Sequence, residues 1–222
     1  MQRPLFHKLA AHHPRHHDSG ATREAILEAA ERIFGDAGLE GARTDAIAAA
    51  AGVNKALLYY YFGSKHGLYR AVLESYLADF NRQALELLSS KGSAGSLLLR
   101  YINLHFDFIG AHRHHGPLFQ RILMADEKSW VRLAREQGLP RMKALLKVIE
   151  RGMRTGEFRR MDSIHAAISL VSLIVFYFSS ASVLRAVSGI DPYAKANVER
   201  RREEVLKFVR HALFKDPESE VP

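Results

Sequence analysis

Residues 44–68 read TDAIAAAAGVNKALLYYYFGSKHGL, and the fold turns on this stretch. Two short helical segments, 45–51 and 55–61, flank Ala51-Gly52-Val53, the dimensions of two helices crossing through a tight turn. Gly52 supplies the left-handed backbone such a turn needs. Thr44 is placed to cap the first segment, with Asp45 at the positive end of its dipole, and Asn54 to cap the second. Small residues at 46 and 48–51 allow close approach, while Ile47, Val53, Leu58 and Phe62 supply apolar contacts that fix the crossing. Leu58 and Phe62 are four apart and share a face, so Lys55, Tyr59 and Tyr60 lie on others. Three consecutive tyrosines, 59–61, would each need a polar partner if buried. A nucleic-acid groove provides such partners: phosphates set register, and base edges met by a helix supply specificity. For Tyr61, packing against the next helix is an equal alternative. Between Asp45 and Arg70 there is no carboxylate, while Lys55, Lys65 and Arg70 remain, so the stretch is locally basic.

Working outward, a preceding helix is expected over 22–37, with Ile26, Ala30, Ile33, Phe34 and Ala37 on one face and Gly38 as its stop. Downstream, Gly63-Ser64 ends the second short helix and caps a long one from Lys65 to about Leu88. Turn chemistry at 92–95, 116–117, 138–140, 156, 189 and 191–192 separates five further helices, near 96–112, 117–136, 140–155, 163–187 and 193–214. Pro117 and Pro140 suit first helical positions. No β-branched run alternates long enough to suggest a sheet. The expectation is an all-α chain of about nine helices. A flexible arm (1–20) precedes a three-helix unit suited to nucleic acid (21–68), a larger helical region (69–215) and a tail (216–222).

Composition agrees with a packed globular protein: 222 residues, 47% hydrophobic and 25% charged. There is no cysteine, which excludes disulfide scaffolds, thiolate nucleophiles and zinc ribbons and fits a reducing, cytoplasmic setting. The net charge of +8 is not itself the argument for nucleic acid, because residues 21–70 carry six basic and six acidic side chains and most of the excess lies beyond them. The N-terminal arm holds His7, His12, His13, His16 and His17 and lacks the apolar core of a secretory signal. Residues 164–184 contain no Asp, Glu, Lys or Arg, long enough for a membrane span. His165, five serines, the missing aromatic belts and the amphipathic flanks favour instead a helix buried in a core or between subunits, with no membrane partner.

The chain resembles the tetracycline-repressor (TetR) family of bacterial transcription regulators. The resemblance rests on Thr22-Arg23, Ile26-Leu27, Ala29-Ala30, Phe34, Gly38, Thr44, Ile47-Ala48, Ala51-Gly52-Val53, Lys55, Leu58-Tyr59, Tyr61-Phe62, Ser64-Lys65 and Leu68, in order and spacing. It implies a homodimer presenting residues 55–61 to the major groove of a palindromic double-stranded operator, with a C-terminal domain that binds a small molecule and releases the DNA. By matching position, Thr44, Tyr59 and Lys65 become phosphate contacts, Asn54 a cap, and Lys55, Ala56, Leu57 and Tyr60 the base-reading surface. Ala56-Leu57 replaces a commoner Gly-Thr and Tyr60 a common His, so no operator sequence transfers. His66-Gly67 lacks the usual acidic residue of that first turn.

In the remaining length, helices near 163–187 and 193–214 have the lengths and polarity of the family's dimer interface, with Leu170, Leu173, Ile174, Phe176, Tyr177 and Leu184 as candidate buried residues. Ligand candidates are Tyr101, His105, Phe108, Ile109, Phe119, Leu123, Trp130, Phe176 and Tyr177, drawn from apolar positions that also include Phe106, Met124, Met142 and Leu145. Tyr101 and His105 are four apart and suited to orient a polar ligand group; a satisfied core histidine is the plainer reading. Arg200, Arg201 and Arg202, followed by Glu203 and Glu204, read as a solvated face with helical ion pairs. His112, His114 and His115 have no nearby carboxylate and suit a helix C-terminus better than a metal. No cofactor, metal or catalytic constellation is expected. A ligand-independent nucleoid-associated DNA binder and a helical membrane-associated adaptor stand as alternatives.

Overall fold

The protein's structure, a computed structural model, describes residues 19–112 and 128–218, except for the side chains of residues 128–130, 133 and 134. The histidine-rich arm, His114, His115, Phe119, Leu123, Met124, most of the expected 117–136 helix and the side chain of Trp130 lie outside the described residues. Among those described there are nine helices: α1 (Ser19–Gly41), α2 (Thr44–Ala50), α3 (Lys55–Phe62), α4 (Lys65–Leu88), α5 (Ala94–Ala111), α6 (Lys128–Thr155), α7 (Ser163–Ser179), α8 (Ala181–Ser188) and α9 (Lys195–Leu213).

The apolar stripe of α1 closes on α2, α3 and the first turns of α4. Ile26, Ala30, Phe34, Ile47, Leu58, Leu68 and Leu73 are fully buried there, and Phe34 meets Tyr69 edge to face at 4.9 Å. Burying such side chains contributes about 1.5–3 kcal/mol each, and this small core holds α3 in place. The second, larger core joins α5, the C-terminal part of α6, α7 and α9 to the rest of α4 from Phe80 onward. Tyr76 packs against both, so α4 is a continuous rod from one to the other.

Glu157, in the turn after α6, ties the end of that helix to the start of α5. Its carboxylate accepts from Ala94 N at 3.2 Å and Gly95 N at 2.8 Å, occupying orphan donors at the start of α5, and from Thr155 Oγ1 at 2.9 Å. Burial pushes the Glu157 carboxyl up, but these bonds and the nearby Arg151 outweigh it and leave its pKa below the ordinary value.

Several expectations are corrected. Helix α1 starts at Ser19, before the expected position 22, while Gly38 breaks it as expected, at φ 70° and ψ −177°, with a further turn to Gly41 beyond the kink. Thr44 is not the N-cap of α2; Arg43 holds that position without a side-chain cap, because the Thr44 side chain is turned into the core. The expected stop at 138–140 does not end a helix: α6 runs through Pro140. Proline removes the donor of the Glu136 carbonyl, and one residue on Asn81 Nδ2 of α4 donates to the Gln137 carbonyl, tying α6 to α4 beside the break. The expected 163–187 helix breaks between α7 and α8 with a bend of 67°. Ser179 and Ser180 hydroxyls both donate to the Phe176 carbonyl at the bend, competing with the backbone for it. No single helix among the described residues is long and apolar enough to cross a membrane, and the bent α7–α8 pair passes by length and composition only. Finally, Arg201 and Arg202 are not a solvated face. Arg201 donates to the Leu173 carbonyl at 2.9 Å and lies over Tyr177, while Arg202 pairs with Asp107 of α5 at 2.5 Å and lies over Phe106.

Candidate nucleic-acid interface

Helix α3 is built to expose one side. Asn54 Oδ1 accepts from Leu57 N at 2.8 Å, which starts the helix, and Gly63 N donates to the Tyr59 carbonyl at 2.8 Å, which closes it. Leu58 is wholly buried, whereas Tyr60 is 80% exposed and Tyr59 38%. Gly52, at φ 67°, turns the chain between α2 and α3 in the left-handed region that other residues avoid. Directly after α3, Ser64 Oγ accepts from Gly67 N at 2.9 Å. Gly67 also sits against the Phe62 carbonyl so closely that a Cβ there would lie 2.1 Å from its oxygen. That contact, which locks α4 onto the end of α3, was missed by sequence reasoning, which saw at position 67 only a missing acidic residue.

The eight residues assigned to DNA differ in freedom. Lys55, Ala56 and Tyr60 are exposed, Leu57 is half-buried and Asn54 serves as the cap. Lys55 forms an ion pair with Asp45 at 2.9 Å, and this hydrogen bond holds its pKa above the ordinary lysine value despite slight desolvation. Lys65 Nζ donates to the Glu40 carbonyl at 3.1 Å, which places the ammonium between α4 and the end of α1. Thr44 is buried, its hydroxyl 3.3 Å from the Tyr59 hydroxyl. Tyr61 is half-buried, edge to face with Tyr60 at 5.4 Å, so it braces its neighbour instead of facing solvent freely.

The ligand candidates separate. Tyr101, Phe106, Phe108 and Ile109 line the interior of α5, and His105, 5% exposed, stacks on Phe80 at 4.5 Å. Tyr177 is half-buried with its hydroxyl 3.5 Å from the Asn197 carbonyl. Phe176 does not join that interior: it is 70% exposed, on the outer face of α7 beside Ile168 and Phe208. The expected interface residues Leu170 and Ile174 belong to the subunit's own core, and the outward row is instead Ile164, Ile168 and Phe176, continued by Val183 and Val187 of α8. Alternation of inward and outward residues along one uncharged helix cannot be phased without the neighbouring helices. Among the described residues, no group of three or more His, Asp or Glu side chains is arranged to hold a metal ion.

An exposed, capped second helix on a small three-helix core, joined through a shared rod to a larger helical body, defines a helix-turn-helix regulator of transcription. Residues 26–72 match the profile of bacterial regulatory proteins of the tetR family, and residues 99–209 that of the tetracyclin repressor-like C-terminal domain. The HTH-type transcriptional repressor NicS of Pseudomonas putida is 30% identical over 177 residues, 77% of this chain and 82% of that protein. The HTH-type transcriptional regulator RutR of Escherichia coli K12 is 28% identical over 76% of this chain and 79% of its own. A transcriptional regulator from Saccharomonospora viridis, solved in complex with choline, superposes with a TM-score of 0.73 over 88% of this chain and 99% of that one, at 20% identity, a likeness of fold. The chain belongs to the TetR family.

Proposed function

We propose that the protein is a homodimeric repressor that reads a two-fold operator with α3 of each subunit and is released from it by a small molecule held in the larger helical body. The observation that carries this reading is the exposure of Tyr60 at 80% on a helix whose opposite face, Leu58, is wholly buried. A side chain so presented on a rigid base meets base edges, while Lys65 and Tyr59 take phosphates and the buried Thr44 steadies the Tyr59 hydroxyl. Residues 21–68 then form the reading unit, with the next turns of α4 completing its core, and residues 69–215 carry the effector site and the dimer face.

Dimerisation is supported by the outward apolar row of α7 and α8 together with Phe208 of α9, 59% exposed. A contiguous exposed patch of this kind is covered in a stable protein, and a second copy meets it with the same surface. No catalytic role is assigned to the chain, which acts in the cytoplasm on the chromosome. Coupling follows from linkage: an effector that favours a separation of the two α3 helices unsuited to DNA weakens operator binding, and operator weakens effector binding by the same factor.

The test is selection of DNA bound by the purified protein from a random duplex pool, followed by a release screen with metabolites. An enriched palindrome with half-sites about 34–36 Å apart, or a related helical multiple, bound by a dimer, is the expected result. Enrichment of no sequence, or binding that no small molecule disturbs, would favour the ligand-independent nucleoid reading instead.

A further inference from the structure

Asn81 of α4, Tyr101 and His105 of α5 and Arg141 of α6 bring polar groups together inside the larger core. Tyr101 is wholly buried and His105 nearly so, yet Tyr101 Oη and His105 Nδ1 have no hydrogen-bond partner of adequate geometry. Buried polar atoms are rarely left in that condition unless something else completes them. Burial, reinforced by the Arg141 charge, lowers the His105 pKa to about 3, so the imidazole is neutral. The Arg141 guanidinium lies over the Phe80 ring at 4.9 Å and donates to Asn81 Oδ1. It also reaches the Tyr101 hydroxyl, and no carboxylate is paired with it among the described residues. Phe80 and Phe108, with ring centroids 4.9 Å apart, form an aromatic wall beside it.

Resting on the reading that the larger body takes a small-molecule effector, we propose that this cluster is its head-group site and that the effector is a small, singly charged organic carboxylate. Arg141 takes the carboxylate through its planar fork, Tyr101 Oη donates to the same group, and the apolar body lies against Phe80 and Phe108. Charge decides the class. A cation is repelled by Arg141, a neutral ligand leaves a partly buried guanidinium without a counter-ion, and a phosphate dianion brings one charge more than the site balances.

The experiment uses the full-length protein and titration calorimetry with benzoate, cyclohexanecarboxylate and hexanoate, each compared with its primary amide. At least one carboxylate is expected to bind about tenfold or more tightly than its amide, the scale of a charge-assisted hydrogen bond lost. Arg141→Met abolishes that preference. Tyr101→Phe, which removes only the hydroxyl and keeps the ring, weakens the carboxylate by about three- to tenfold and serves if Arg141→Met fails to give a cooperative melt. A wild-type protein that prefers none of the three carboxylates, or a preference that survives these substitutions, overturns the proposal. Failure here is separable from failure of the regulatory reading. Carboxylate binding that leaves DNA bound refutes regulation and keeps the site; release by an uncharged compound, with no carboxylate bound, does the reverse.

Discussion

Gly67→Ala tests the claim that the end of α3 is locked by backbone contact with α4. A Cβ at position 67 would sit 2.1 Å from the Phe62 carbonyl oxygen, where ordinary contact begins at 3.4 Å, so the carbonyl or the helix must retreat by roughly 1 Å. The obstacle is main chain on both sides and cannot rotate away as a flexible side chain would. Overpacking that forces backbone shifts costs about 1–3 kcal/mol, against a helix-propensity gain of at most about 1 kcal/mol for Ala over Gly. The expected net loss is about 1–2 kcal/mol. Because Phe62 ends α3, the helix proposed to read DNA, duplex affinity should fall as well. Gly110→Ala is the control: it is also helical, and its Cβ would meet nothing within 4 Å, so it leaves stability unchanged or slightly raised. Urea unfolding followed by far-UV circular dichroism, at one fixed subunit concentration, reads the difference. If Gly67→Ala unfolds at or above the wild-type midpoint, or tracks Gly110→Ala, the lock does not exist.

Lys65→Ala should weaken binding to every duplex and reduce the slope of log affinity against log salt by about 0.9 per subunit, whereas Tyr60→Ala should change the ranking of sites in a selection. Equal effects of the two on all sequences would refute the division between phosphate and base contacts. Phe176→Glu, at a position 70% exposed in the single subunit, should give monomers in sedimentation velocity without loss of helical signal; an intact dimer would move the interface elsewhere. Glu157→Ala should cost about 1–2 kcal/mol through the lost cap on α5. Because folding lowers the Glu157 pKa, that contribution is complete above the unfolded value of 4.5 and is lost as pH falls through the folded one. Melts of both proteins should therefore converge in acid, and a gap that persists at low pH would show that the carboxylate charge is not what stabilises α5.

Local chemistry made the reading unit legible. Gly52, Asn54 and Ser64 act through contacts within a few residues, so their roles as turn and caps could be read from spacing, as could the burial of Leu58 opposite Tyr60. Thr44 shows where that logic ends: as a free helix start it would cap, but its hydroxyl faces Tyr59 from fifteen residues away. Pro140 and the pair Ser179-Ser180 reversed in the same manner. A helix ran through a proline that predicts a stop, held there against α4 by the Asn81 contact, and a helix expected to be continuous bent at two serines.

The amino-acid order alone determined that the chain is helical, where its helix-turn-helix lies and that Tyr59 and Tyr60 stand off the buried face of Leu58, since these depend on period, caps and steric freedom within one or two turns. Only tertiary structure decided which side of α7 faces outward, that Gly67 must lack a Cβ, and that Arg141 stands beside Tyr101 and His105 forty or so positions away. Those outcomes are set by which helices meet, and distances between helices are not encoded in any local spacing.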